Sequence, residues 1–108
     1  GQYEVFKVPH DEGAQPGGIL GNRMGTYPKT DNYMGVHSFA IAPSDGHIFL
    51  TPSMQQEIVE FDPDSGEFTR HKMDDGFYPH TIRADDQDRE RFTVALSTQV
   101  AMLDRKTN

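Results

Sequence analysis

The feature that most constrains the fold of this chain is an internal repeat of 42 to 43 residues. The segment His-Ser-Phe-Ala-Ile at 37–41 recurs as His-Thr-Ile-Arg-Ala, 43 residues later. The segments Phe-Leu-Thr at 49–51 and Ile-Val-Glu-Phe-Asp at 58–62 recur 42 residues later as Arg-Phe-Thr and Val-Ala-Met-Leu-Asp. One deletion in the turn around Asp45-Gly46 accounts for the change of spacing. Because the register holds across separate segments, the chain is predicted to contain two copies of one structural unit.

Each copy has the pattern of several short β-strands. Turn chemistry separates stretches that are rich in β-formers, and the stretches of the first copy are 38–43, 48–51, 57–61 and 67–72. Residues 2–9 are a further predicted strand, and no stretch has a sustained 3.6-residue apolar period. Four short strands in about 42 residues are typical of a propeller blade. The sequence therefore predicts an all-β fold, a partial β-propeller of four-stranded antiparallel blades, with a β-sandwich built from a duplicated unit as the alternative.

The repeat also predicts how the 108 residues are divided within one domain. Residues 1–9 match the last strand of the unit and are predicted to be the outer strand of a preceding blade. Residues 36–73 form a complete blade, and 78–108 form three strands of the next. About 23 extra residues in the first interval predict an inserted loop at 10–35. Two blades do not close a ring of the usual four to eight, so we expect either a longer propeller or association with other copies of the chain.

Composition and charge exclude several classes of function. The net charge is −7, with 17 acidic and 10 basic residues and no basic stripe, which argues against nucleic acid and anionic membrane surfaces as partners. The chain has no cysteine, so disulfides and thiolate metal sites are excluded. It contains no apolar run long enough to span a membrane and no signal-peptide pattern.

The alternation of strands within a blade predicts a candidate site. The loops after the second and fourth strands share one face with the starts of the innermost strands, so His37 and His80 are predicted to meet at the mouth of the central channel. Imidazoles there are candidate catalytic acid–base groups or metal ligands. A repeated histidine that only hydrogen-bonds the neighbouring blade is the alternative. The candidate ligand-binding residues are in loops on the same face: Tyr33, Gln55, Gln56, Ser97 and Thr98.

Two acidic stretches are not predicted to form a binding or metal site. The segment 62–66 resembles the start of a calcium-binding loop, but its twelfth position is Met73 rather than Glu, so a capped turn is predicted. The charged stretch 85–91, which includes Glu90, is interpreted as a solvated hairpin tip. No metal site and no cofactor are predicted from the residues themselves.

The two copies resemble the blades of the streptogramin B lyase (virginiamycin B lyase)-like propellers. The resemblance rests on His-x-x-x-Ile, Asp-Gly, Phe-Leu-Thr and Ile-x-x-Phe-Asp-Pro-x-Ser-Gly-x-Phe-Thr over 37–69, and on the matching pattern over 78–107. It implies blades of a seven-bladed propeller, in a family whose lyases open a cyclic depsipeptide by elimination with Mg²⁺ and with His and Glu at the channel mouth. His37 and His80 match the family's blade-start histidine. The resemblance also implies a secreted or periplasmic protein.

The sequence departs from the family where the lyases take a catalytic carboxylate. Their aromatic strand commonly ends Trp-Phe-Thr-Glu, whereas Pro52 and Val94 occupy the final position here, and Arg91 replaces the Trp. The resemblance therefore implies a propeller module that binds a small-molecule ligand or a partner. A Mg²⁺-dependent C–O lyase, with carboxylates supplied by other blades, is the alternative, so the residues leave open whether the protein is an enzyme.

Overall fold

In a computed structural model of the chain, the structure describes residues 1–11, 35–53, 55–74, 78–94 and 99–107. These residues form seven β-strands: β1 (Val36–Ile41), β2 (Ile48–Pro52), β3 (Glu57–Phe61), β4 (Phe68–Lys72), β5 (Pro79–Ala84), β6 (Arg89–Val94) and β7 (Gln99–Asp104). Sheet A has the antiparallel order β1-β2-β3-β4, and sheet B has the order β5-β6-β7. The all-β prediction is confirmed. None of the described residues forms a helix that could span a membrane.

The two sheets share one register, which is the structural form of the repeat. Equivalent residues align across the strands of both sheets: Ile41, Ile48 and Phe61 in sheet A, and Ala84, Glu90 and Leu103 in sheet B. A β-bulge interrupts β1–β2 between Val36 and Phe39, and an equivalent bulge interrupts β5–β6 between Pro79 and Ile82. Each bulge adds one residue to the inner strand. The duplication therefore extends to the irregularities of the backbone.

The hydrophobic core lies between the facing sides of the two sheets. Phe49 of sheet A is fully buried there with Ile58, opposite Ile82 and Phe92 of sheet B. Burying a side chain of this size contributes about 1.5–3 kcal/mol. The core therefore holds the two blades together as well as stabilising each of them.

Each sheet also has a side that is turned away from the other sheet. Side chains alternate between the two faces of a strand, so Phe39 and Ile41 are 61% and 56% exposed on the outer face of sheet A. Val100 and Met102 are 78% and 48% exposed on the outer face of sheet B. Both outer faces thus expose large apolar side chains that the described part of the chain does not fully cover.

The N-terminal segment forms no strand within this single chain, so the strand predicted at 2–9 stays a prediction. The segment lies against the outer face of sheet A, where the rings of Phe6 and Phe61 have centroids 4.9 Å apart. Arg70 and Lys72 donate to a carboxylate oxygen of Asp11 at 2.8 and 2.5 Å. A strand needs a neighbour for its backbone groups, and within this chain the segment packs on the face of sheet A rather than along an edge of it. The assignment of 1–9 to a preceding blade stays a prediction, and the predicted loop at 10–35 lies mostly outside the described residues.

The calcium-like segment forms a capped turn between β3 and β4, as predicted. The Asp62 carboxylate accepts from the Asp64 amide at 2.9 Å and from the Ser65 hydroxyl at 3.0 Å. These bonds hold the pKa of Asp62 below its usual value. Gly66 closes the turn with a φ of 77°, a conformation that favours glycine. The carboxylate is therefore used by the turn itself.

Candidate functional site

Two histidine rings lie side by side where the innermost strands of the two sheets begin. The ring centroids of His37 and His80 are 3.9 Å apart, and the ring planes are inclined by 37°. The Tyr78 ring lies 6.3 Å from the His37 ring and 6.2 Å from the His80 ring. His37 is exposed and His80 is half-buried. The structure thus brings together the two predicted histidines and adds a tyrosine, and we call these three residues the mouth cluster.

Sequence reasoning missed Tyr78 as a site residue, although the repeat held a signal for it. Tyr78 has a φ of 69°, in the left-handed region that bulky side chains avoid. The equivalent residue of the first copy, 43 positions earlier, is Gly35, with a φ of 56°. A tyrosine therefore occupies a position where the other copy has a glycine. Backbone strain of this kind costs on the order of 1–3 kcal/mol and is concentrated at functional sites.

The repeated bulge fixes the backbone beside each histidine. The Ser38 amide, next to His37, donates to Oγ1 of Thr51 at 3.0 Å, and the Thr81 amide donates to Oγ1 of Thr93 at 3.2 Å. The extra residue of a bulge has no cross-strand partner, so the threonine hydroxyl replaces the missing acceptor. The same threonine of β2 and β6 thus has the same function in both blades.

Hydroxyl groups also link the two blades at this end. Thr51 Oγ1 donates to the carbonyl oxygen of His80 at 2.7 Å, and Ser53 Oγ donates to the carbonyl oxygen of Pro79 at 2.5 Å. Both hydroxyl residues are buried. The His80 ring makes a local polar contact, with Nδ1 3.0 Å from Oγ1 of Thr81. At this end of the sheets, Thr51 and Ser53 therefore make hydrogen bonds between the blades, and the two imidazoles meet through their ring faces.

The structure describes only two of the five predicted ligand-binding residues. Gln55 and Gln56 lie in the turn after β2, at the end of sheet A where β1 begins. The Gln55 amide donates to the Pro52 carbonyl, and the Gln56 carbonyl accepts from the Met73 amide, both at 2.9 Å. These backbone bonds hold the turn at the same end of the sheet as His37. Three predicted residues lie outside the described part of the chain: Tyr33, Ser97 and Thr98.

The described residues at this end do not fit a Mg²⁺ site. Mg²⁺ prefers oxygen ligands in octahedral geometry, whereas the two close side chains are imidazoles. Pro52 and Val94, at the positions of the family's catalytic Glu, are both buried. Glu57, in β3, is buried and accepts a bidentate pair from Arg70, with two N–O distances of 2.8 Å. Within the described ranges, a group of three potential metal ligands occurs at the opposite end of sheet A, at Asp45 and His47 in the turn between β1 and β2 and at Glu60 in β3.

That far group is part of an ion network between the sheets. Arg105, after β7, donates to Asp45 at 2.5 Å, to Asp88 at 2.7 Å and to Glu60 at 3.3 Å, and lies 5.1 Å from the centre of the Phe49 ring. His47 Nδ1 is 2.5 Å from Glu60. Burial opposes ionisation of Glu60, but its bonds to His47 and a second histidine hold its pKa below the usual value. The guanidinium of Arg105 therefore supplies the positive charge that a metal would bring.

Glu90 is buried beside this network without a partner. Its residue is 1% exposed, and neither carboxylate oxygen has a hydrogen bond within the described part of the chain. Burial raises the pKa of Glu90 to about 7. The interpretation of Glu90 as part of a solvated hairpin tip is wrong, because β6 already begins at Arg89 and its alternation places Glu90 on the same face as Phe92 and Val94. The sequence signal that could have identified it is the spacing of two residues that places Glu90 in line with the apolar Phe92 and Val94.

Comparison with known proteins supports the fold at a distance. No protein-family model and no curated protein matches the sequence. Among solved structures, the chain is similar to selenomethionine-substituted virginiamycin B lyase from Staphylococcus aureus, with a TM-score of 0.53 and 17% sequence identity. The match covers 70% of this chain and spans only 28% of the lyase chain. At this identity the similarity shows the fold alone, which is a partial β-propeller.

Proposed function

We propose that this chain is a ligand-binding module of a β-propeller, and that the mouth cluster recognises the ligand. The observation that carries the proposal is the meeting of three aromatic rings from two blades, with the His37 and His80 centroids 3.9 Å apart. Two of the rings come from one blade and one from the other, so the cluster exists only at the junction between blades. A channel mouth is where propellers commonly bind small molecules.

The cluster is also held in place before any ligand arrives. The buried hydroxyl bonds from Thr51 and Ser53 fix the start of β5, which carries His80, against sheet A. From its left-handed backbone, Tyr78 places its ring 6.3 Å from His37 and 6.2 Å from His80. Groups that are already ordered lose little conformational entropy on binding. This order favours recognition of a ligand over a merely solvated turn.

Ring faces and ring nitrogens define the class of ligand. Aromatic rings prefer offset-stacked or edge-to-face partners, and imidazole nitrogens can donate or accept a hydrogen bond. A planar aromatic group with a polar substituent satisfies both preferences. The ligand class is therefore a small molecule or a partner side chain with such a group.

Aromatic fragments test this proposal directly. We expect phenol, benzoate and indole, added to the isotope-labelled chain at millimolar concentration, to shift the ring signals of Tyr78 and His80 in nuclear magnetic resonance spectra. His37→Ala is expected to weaken the fragment affinity at least tenfold, because it removes the exposed stacking face. The matched control is His10→Ala, an exposed histidine outside the cluster. Equal fragment affinities for His37→Ala and the unsubstituted chain would rule the proposal out.

An elimination-type lyase is the second candidate, because the fold is shared with a lyase and two imidazoles stand where a base is needed. The described residues provide no carboxylate beside them, so we expect the chain to bind Mg²⁺ only weakly. Calorimetry is therefore expected to detect no Mg²⁺ affinity in the micromolar range. A cyclic depsipeptide incubated with the chain and Mg²⁺ is expected to remain cyclic. Ring opening by elimination gives a linear isomer, so a new chromatographic peak of unchanged mass would instead support the lyase.

A further inference from the structure

The two outer faces of the molecule match the two halves of its internal junction. Phe39 of the outer face of sheet A occupies the repeat position of Ile82, which sheet B buries completely against sheet A. Val100 of the outer face of sheet B occupies the position of Ile58, which sheet A buries against sheet B. Each outer face is therefore the counterpart of a surface that is covered inside the chain.

The hydrogen-bonding groups at the mouth repeat this relationship. Inside the chain, Thr51 donates across the junction to the His80 carbonyl at 2.7 Å. Thr93 has the same position in sheet B, holds its own bulge in the same way, and is exposed. The carbonyl equivalent to that of His80 in sheet A belongs to His37. The Thr93 hydroxyl of one copy and the His37 carbonyl of another are thus placed to form the equivalent hydrogen bond across a second junction.

The N-terminal segment is placed where such a second junction would use it. Phe6 packs on Phe61, so the segment lies on the outer face of sheet A. Strand β7 pairs with β6 on one side, and in the described residues its other edge has no strand partner. Residues 2–9 match β4 in the repeat and would meet this open edge if another sheet B were to cover sheet A. An unpaired edge of this kind is a template for strand addition.

We propose that copies of this chain associate head to tail, the outer face of sheet B of one copy on the outer face of sheet A of the next. Residues 2–9 of the second copy then add a fourth strand to sheet B of the first. The partner is a second copy because both complementary faces, and the strand that completes the junction, are on one chain. His80 of one copy comes beside His37 of the next, so the mouth cluster is repeated at each contact. The proposal does not depend on which ligand the cluster binds.

Two of the differences between the new junction and the internal one introduce charged side chains. Arg83 and Arg91 stand where the internal junction has Ala40 and Phe49. Both arginines are exposed, and in the assembly they face a surface that carries Phe39. Arg105 already lies over Phe49 at 5.1 Å, so the same chain shows that a guanidinium fits against a phenylalanine ring in such a junction. The two arginines therefore make this contact more polar than the internal junction, and they are compatible with it because a guanidinium can pack against a phenylalanine ring.

A head-to-tail contact is heterologous and must close into a ring or grow as a filament. Three or four copies would give six or eight blades, within the usual range. Light scattering of the chain at about 100 µM is therefore expected to give at least three times the 12.2 kDa mass of the chain. Phe39→Asp and Val100→Asp, each of which spoils one face, are expected to reduce the mass to that of a single chain. The matched control is Asp86→Lys, in the exposed turn between β5 and β6.

Mixing the two variants is the sharpest test of whether the contact is head to tail. Each variant keeps the face that the other has lost, so an equal mixture is expected to form a dimer of about 24 kDa, twice 12.2 kDa, that does not grow. A Val100→Asp chain that still associates as strongly as the unsubstituted chain would show a symmetric contact and overturn the proposal. A compact, folded monomer of the unsubstituted chain would overturn it as well. If a variant fails to fold, amide hydrogen exchange in residues 2–9 of the unsubstituted chain gives a second measurement. The exchange is expected to slow as the chain concentration rises. An exchange rate that does not depend on concentration would contradict the proposal.

Discussion

Replacing Phe49 by alanine is expected to destabilise the folded chain by about 3–5 kcal/mol, the cost of emptying a large aromatic site in a core. Phe49 is fully buried at the centre of the interface between the two sheets. Its ring also lies beneath the Arg105 guanidinium, at 5.1 Å. The substitution therefore removes apolar burial, leaves a cavity and uncovers one side of the ion network. A typical domain has a total stability of about 5–15 kcal/mol, so the expected loss is a large fraction of it.

The matched control for this substitution is Phe39→Ala, in the strand next to Phe49. Phe39 is 61% exposed on the opposite face of sheet A, so its loss is expected to cost less than about 1 kcal/mol in a separate chain. Urea denaturation followed by circular dichroism measures both variants, at one low chain concentration so that association does not contribute. Phe49→Leu is expected to cost less than Phe49→Ala because it keeps much of the volume. Equal midpoints for Phe49→Ala and Phe39→Ala would show that the core does not lie between the sheets.

The sequence predicted the blades well because their determinants are local. The strands are short runs rich in β-forming residues, and the turns between them carry their own chemistry, as in the cap that Asp62 provides. The repeat added the long-range information, since a residue in one copy predicts the environment of its counterpart 42 or 43 positions away. This is why the meeting of His37 and His80 could be expected from sequence alone. The β-bulge beside each histidine was not predicted, because it depends on a threonine hydroxyl in the neighbouring strand.

The differences between the expectations and the structure have physical causes at particular residues. The segment 2–9 has the pattern of a strand, but a strand exists only where another strand pairs with it, and propensity alone does not supply the partner. Glu90 was assigned to a solvated tip because its neighbours are charged. The turn in fact ends before β6 begins at Arg89, and the period of two then turns Glu90 toward the core. Arg105 was not singled out, because its role depends on carboxylates from three separate turns and strands.

The pH dependence of stability should identify Glu90 as the group that opposes folding at neutral pH. Its pKa is raised by burial from the usual 4.5 to about 7, so the folded state keeps its proton over a range in which the unfolded state loses it. Glu90 therefore has no destabilising effect below pH 4.5. Its effect grows by up to about 1.4 kcal/mol per pH unit as the pH rises toward 7, and totals about 3 kcal/mol above that pH.

Other groups titrate in the same cluster, and their contributions must be separated from that of Glu90. The groups that act on Glu90 are the Arg105 guanidinium, which favours its ionised form, and the carboxylates of Asp88, Asp85 and Glu60, which oppose it. Bonds to Arg105 and other donors lower the pKa of these three carboxylates in the folded state. Their stabilising contributions to the fold are therefore lost as the pH falls. The bond to Glu60 raises the pKa of His47, so the stabilising contribution of His47 to the fold is lost as the pH rises. All of these contributions remain in a Glu90 variant, so they largely cancel in a difference between two proteins.

Glu90→Gln is therefore the informative substitution, because glutamine has nearly the same shape and does not ionise. The free energy of unfolding of Glu90→Gln minus that of the unsubstituted chain is expected to be constant below pH 4.5, to rise by about 3 kcal/mol between pH 4.5 and 8, and then to level off. Any cost of burying the amide is independent of pH and shifts the whole curve without changing its shape. The matched control is Glu67→Gln, which removes the same formal charge at an exposed position before β4. Urea denaturation at half-unit pH intervals measures these curves, and parallel curves for Glu90→Gln and the unsubstituted chain would show that Glu90 is hydrated or paired in solution.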